Sequence, residues 1–154
     1  MLLLKFQVGS SLFAVDSKQV LEVTPWVNLR PIPLAAPYIK GLFHYRGKVV
    51  PVVDLAGLMG AAACQPRLST RIIVIERSAA GAERSLMGLL AERVTDLVKV
   101  ADNQFMPPSG AMNNVSFLGP FVETESGLVQ LILVDQVVPE ALDRALTGST
   151  VERP

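Results

Sequence analysis

The chain has 154 residues, half of them hydrophobic, with mean hydropathy +0.40 and only 6% aromatics. That suffices for one domain, or for two very small subdomains sharing an aliphatic core, and part of the apolar excess is expected at the surface as a docking face. Fourteen acidic residues balance fourteen basic ones, which leaves no basic footprint for nucleic acid and no charge run for a membrane surface.

No apolar run approaches the ~18 residues that span a bilayer. The block MLLLKFQVGSS is too short for a signal peptide and is broken by Lys5. The chain therefore reads as soluble, without direct membrane insertion. Cys64 is the only cysteine, so an internal disulfide and a Cys-rich zinc site are excluded, and a reducing, cytoplasmic setting fits. It reads as an ordinary loop thiol.

Leu2, Leu4, Phe6 and Val8 alternate with Leu3, Lys5 and Gln7, the period of a strand. Gly9-Ser10 suits a type II′ turn into a second strand over Leu12 to Val15. Asp16 or Ser17 then caps a short helical turn through Gln19 to Glu22, with Val20 and Leu21 supplying apolar surface and at least one of them packing inward. Four prolines between Thr24 and Pro37 forbid a regular helix. Within this excursion Trp26 reads equally as a loop aromatic or as an interface anchor.

Tyr38 to Leu55, YIKGLFHYRGKVVPVVDL, reads as strand, tight turn and strand. Pro51 interrupts the second strand and has no amide for a central ladder, so the strand belongs at an edge or carries a bulge. Gly41 suits a positive φ or a close approach. Asp54 caps a helical turn or strand end over Leu55 to Met59. Gly60 to Pro66 is a candidate crossover.

Arg71 to Glu76 is a strand, followed by a polar hairpin loop from Ser78 to Glu83 and a strand from Ser85 to Leu90. Ala91 to Asp96 resembles a second capped turn before Leu97 to Val100. Asp102 to Asn114 reads as a mobile loop. Phe117 to Val122 and Leu128 to Val134 close the β portion. Pro139 stands at the start of a helix over Glu140 to Leu146 that Gly148 stops, and residues 147–154 form a flexible tail.

The order strand, hairpin, strand, capped turn, loop, glycine-flanked hairpin occurs twice, with Gly41 and Gly47 in one copy and Gly119 and Gly127 in the other. If it is a true duplication, it means two similar small barrels.

These residues resemble the CheW family, adaptor proteins of bacterial chemosensory arrays. The resemblance covers nearly the whole chain, through LFAVDSKQVLEV, STRIIVIE, SLMGLLAERVTDLV and FLGPFVETESGLVQLILVDQVV. The specific part is the middle segment, where Gly41, Arg46, Gly47, Pro51, Asp54 and Leu55 match the family pattern in order.

The resemblance implies a mainly β fold: two intertwined five-stranded SH3-like barrels with a hydrophobic groove between them, short helical turns and a C-terminal helix. It forms one domain over residues 1–146, with one subdomain at about 12–66 and the other at about 68–138 helped by the N-terminal strand. It also implies two partners, a CheA-type histidine kinase through that kinase's CheW-like regulatory domain, and the cytoplasmic tip of a methyl-accepting chemoreceptor. The place of action would be the cytoplasm, at membrane-associated receptor arrays. No cofactor or metal is implied.

Where the family usually has Asn-Leu, this chain has His44-Tyr45, which would retune the receptor-facing surface. The likeness is closer to adaptors of surface-sensing pathways that drive cyclic-di-GMP synthesis (Wsp-type) than to flagellar ones. The resemblance pairs Arg46 with an acidic residue after the second strand, here Glu22, in a bridge that is either structural or part of the contact surface. The expected partner-binding residues are Val20, Glu22, Gly41, His44, Tyr45 and Arg46. His44, the only histidine, is expected as a half-buried ring at the groove, with a pH-sensing contact as the second reading.

The leading function is thus a non-enzymatic adaptor. Alternatives are a competitor or modulator of such arrays and, from a different class, a small β-barrel nucleic-acid binder. An enzyme is disfavoured because no acid, base, nucleophile or metal set assembles from the sequence.

Overall fold

The computed structural model describes residues 1–61, 67–78, 84–108, 110 and 115–137. The expected C-terminal helix, the tail, Cys64 and most of the loops around residues 62–66 and 79–83 lie outside them.

The alternating N-terminal block extends as β1 (Leu2–Val8) and turns at Gly9-Ser10 into β2 (Ser11–Asp16). Gly9 has φ +60° at the first turn position, as a two-residue hairpin loop requires. Asp16 caps a single 3-10 turn, Ser17–Gln19, by accepting the Lys18 amide at 3.0 Å. The helical turn expected through Glu22 stops there. Val20–Pro25 is instead a strand, β3, which pairs antiparallel with β6 (Thr70–Ser78). Its β-branched residues, Val20, Val23 and Thr24, favour the ladder over a further turn of helix.

β4 (Ile39–Tyr45) and β5 (Lys48–Asp54) form the hairpin expected from the central segment. Arg46 and Gly47 are its two turn residues, with φ +49° and +81°, the signature of a type I′ turn. Leu42 lies opposite Pro51, but its own amide and carbonyl are taken by Arg30, at 2.7 and 2.8 Å. Leu42–Pro51 is therefore a non-hydrogen-bonded pair of the β4–β5 ladder. The ring nitrogen of Pro51 faces the opposite side, where β5 begins parallel pairing with β7 (Arg84–Lys99) only at Val52. The proline is accommodated because that edge is still open at its position. Asp54 caps α1 (Leu55–Leu58), accepting the Ala56 amide at 3.1 Å.

β7 overturns the expected break at Ala91 to Asp96: Arg84 to Lys99 is one 16-residue strand. The sequence feature read there as a capped turn is a bulge. Lys5 faces Asp96 and Gln7 faces Glu92, so three residues of β7 oppose Phe6. Arg93 in that bulge has φ +49°, and its amide donates to the Ser69 carbonyl at 3.2 Å. The ladder with β1 continues beyond the bulge, which a helical turn could not supply.

The remaining hairpin is β8 (Leu118–Thr124) with β9 (Gly127–Ile132), and β9 also runs parallel to β2. In the loop before it, Asp102–Gln104 forms a 3-10 turn and Met106 bridges Phe121.

These pairings give two five-stranded barrels that share β7. The first is ordered β4-β5-β7-β6-β3, the second β7-β1-β2-β9-β8. The expected split at residues 12–66 and 68–138 is corrected accordingly. β2 belongs to the second barrel with β1 and β9, whereas β6 belongs to the first with β3. The chain changes barrel after β2 and changes back within β7, so the first barrel is the continuous stretch β3–β7 and interrupts the second, whose β1 and β2 precede it and whose β8 and β9 follow it. This is the intertwining the resemblance implies.

Three apolar clusters follow from strand alternation. Val50, Val52, Ile72, Val74 and Leu90 fill the first barrel. Leu3, Ala14, Val122, Val129 and Leu131 fill the second. Their sequence neighbours Leu4, Val15, Val53, Ile73, Ile75 and Leu89 point the other way and pack between the barrels. The apolar excess expected at the surface is thereby mostly interior, because β5, β6 and β7 are covered on both faces. Over the described residues the junction between the barrels holds a packed core.

Candidate partner-binding site

β3 and the β4–β5 turn bring Glu22, Tyr45 and Arg46 together at one corner of the first barrel. Arg46 Nη2 donates to Glu22 Oε1 at 3.0 Å, and the Tyr45 hydroxyl donates to the same oxygen at 2.8 Å. The Arg46 guanidinium carbon lies 5.2 Å from the centre of the Tyr45 ring, a cation–π distance. The two charged side chains are accessible, 74% for Arg46 and 40% for Glu22. The Tyr45 ring is buried among the first barrel's core residues and only its hydroxyl reaches the corner. That hydrogen bond, with desolvation next in size, holds the Tyr45 hydroxyl above its ordinary pKa, while the Arg46 charge opposes the shift.

The other expected residues separate. Val20 packs against the core between the barrels and is only partly accessible. Gly41 is buried with φ +146°, and a Cβ there would lie 2.5 Å from the Arg30 carbonyl oxygen. Its glycine is required by close passage of the 29–30 backbone. His44 is exposed, not half-buried, and points away from the face that carries Tyr45. Of the pair His44-Tyr45, only His44 offers its ring to a partner.

His44 lies opposite Val49 in a non-hydrogen-bonded pair, where side chains approach most closely. Together with Val27, Asn28, Arg30, Leu42 and Phe43 they line an open cleft of about 680 Å³. Val49 is 66% exposed. The sequence reading missed Arg30 and Val49 at this surface and Val23 on the outer face of β3, where Leu21, expected as apolar surface, is also exposed. Period-two alternation over Val20–Pro25 would have found Val23, had that segment been read as a strand. Trp26 is partly buried against the first barrel's core, a packing role that neither of its two expected readings named.

Among the described residues, no three His, Cys, Asp or Glu side chains gather to hold a metal ion. No helix among them is long and apolar enough to cross a membrane. What the corner offers is a preformed ion pair beside an apolar cleft, a surface suited to recognition.

The CheW-like domain family matches residues 2–141. The chain belongs to this family. The chemotaxis protein CheW of Rhizobium meliloti (strain 1021) is 30% identical to it over 139 residues, which span 89% of this chain and 86% of that protein. Protein FrzA of Myxococcus xanthus is 34% identical over 106 residues, 67% of this chain and 61% of that protein. Among solved structures, the scaffolding protein TtCheW from Thermoanaerobacter tengcongensis matches with a TM-score of 0.75 at 25% identity, covering 85% of this chain and 82% of that one. The fold is shared with that scaffolding protein, and the chain is a CheW-like adaptor of chemosensory signalling, coupling receptors to a CheA-type kinase.

Proposed function

We propose that this CheW-like adaptor is non-enzymatic, acts in the cytoplasm at membrane-associated receptor arrays, and docks through the Glu22–Tyr45–Arg46 corner and the cleft beside it. The observation that carries this reading is the accessible Glu22–Arg46 pair at 3.0 Å, held at the rim of a barrel next to exposed Val49 and His44. An ion pair so exposed contributes only ~0–1 kcal/mol to folding. Covered by a partner it is desolvated, and losing one member then costs far more. Val20 and Gly41 support this surface from below, by fixing β3 and the Arg30 segment.

The test is reconstitution of chemoreceptor, CheA-type kinase and this chain. The wild type restores receptor control of kinase autophosphorylation. Arg46→Glu keeps its melting temperature and loses affinity for the kinase or the receptor by about tenfold or more. Unchanged co-purification with both partners, together with unchanged kinase control, overturns the reading.

A further inference from the structure

We infer that Tyr45 is the positioning residue of the docking corner: its hydroxyl and ring face hold Glu22 and Arg46 in one geometry, and affinity for the partner depends on that hydroxyl. The inference rests on the docking reading above and goes beyond it, because the usual Asn-Leu of the family has neither a hydroxyl nor an aromatic face at this position.

Exposed ion pairs of long side chains are weak because holding both chains in one geometry costs rotamer entropy. Tyr45 removes part of that cost on each side. Its ring is 8% exposed and fixed among the first barrel's core side chains, so the hydroxyl emerges at a set position with only two side-chain torsions behind it. From there it donates to Glu22 Oε1 at 2.8 Å. The ring face lies 5.2 Å from the Arg46 guanidinium carbon, and that guanidinium donates to the same Oε1 at 3.0 Å. The Arg46 backbone is already committed by the type I′ turn, with φ +49°.

Both donors use Oε1, and Oε2 of Glu22 accepts no hydrogen bond among the described residues. Oε2 is therefore the acceptor presented to a partner, in a direction set by Tyr45. The partner group it suits is an N–H donor or a cation, with the exposed edge of Arg46 beside it for an acceptor.

The experiment is a double-mutant cycle in the full chain, with affinity for the CheA-type kinase and for the receptor measured by calorimetry and melting temperature recorded in parallel. Tyr45→Phe deletes the hydroxyl and keeps the ring. It lowers affinity about three- to tenfold, the range of one ordinary hydrogen bond at an accessible site. In a Glu22→Ala background the same substitution changes affinity no further, because the hydroxyl has nothing left to position. An equal loss in both backgrounds overturns the inference, since Tyr45 would then act without Glu22. Wild-type affinity of Tyr45→Phe, alongside weakened Glu22→Ala and Arg46→Glu, also overturns it but leaves the docking reading standing. Wild-type affinity of all three overturns both.

Discussion

The two halves of the chain, β1–β5 and β6–β9, build matching pairings but use their turns in opposite ways. An antiparallel pair in each half (β1–β2, β6–β7) is extended by a parallel strand from the other half (β9, β5), which carries its own hairpin partner (β8, β4). In each, the next strand crosses to the other barrel, as β3 in one case and as the far end of β7 in the other. The first crossing is made through the Asp16-capped 3-10 turn, the second through the Arg93 bulge. The two hairpin tips then diverge. Arg46, in the first, reaches Glu22 across an accessible corner. Ser126, in the second, is tied to its barrel by accepting from Lys5 Nζ at 2.7 Å, with Asp96 3.7 Å from the same ammonium. The Lys5 side chain is only 9% exposed. One copy of the motif displays charge and the other staples its barrel, so stability and binding should respond to different charges.

The largest effect is expected at the bulge glycines. Gly41→Val sets a Cβ against the Arg30 carbonyl at a φ that L residues avoid, and should cost about 3 kcal/mol or more. Gly119→Val meets the Leu131 carbonyl oxygen at 2.9 Å without a positive φ and should cost less, about 1–3 kcal/mol. Urea unfolding of the two variants checks the order, and equal losses would break the proposed difference between the hairpins. Next comes Lys5→Ala, expected to lose about 1–3 kcal/mol through its hydrogen bond and buried stem while kinase affinity holds. Arg46→Ala should do the reverse, losing no more than ~1 kcal/mol of stability while binding fails.

The smallest effect is a titration. With Tyr38→Phe removing the other tyrosine, absorbance at high pH should place the Tyr45 transition above 10, and Glu22→Ala should lower it. The neutral hydroxyl is the form the fold favours. Its contribution is therefore complete below the unfolded value near 10 and declines as pH rises through the folded value. A Tyr45 transition at the ordinary value would contradict the hydrogen bond to Glu22.

Much of this was legible in the sequence because strand alternation and turn residues act locally. LLLKFQV, the Arg46-Gly47 turn and the Asp54 cap each carry their own signal. The repeat was visible through Gly41, Gly47, Gly119 and Gly127. What was not legible depended on pairing at long range. Gln19–Glu22 and Ala91–Asp96 look like capped turns until β6 and β1 supply ladders for the strands that run through them, and the barrel exchange comes from those ladders alone. At the site, the Glu22–Arg46 pair came from the family resemblance. The opposite fates of His44 and Tyr45 are a consequence of strand alternation once β4 is placed, and the role of Arg30 needed the fold.

The most direct test of the docking corner is the charge swap Glu22→Arg with Arg46→Glu, assayed for receptor control of CheA-type kinase activity. The swapped pair can re-form within the chain, so the melting temperature should stay near wild type. A partner would meet reversed polarity, so kinase control should stay lost, as in Arg46→Glu alone. Restoration of control by the swap would show that the pair serves only the fold of the first barrel and would contradict a docking role.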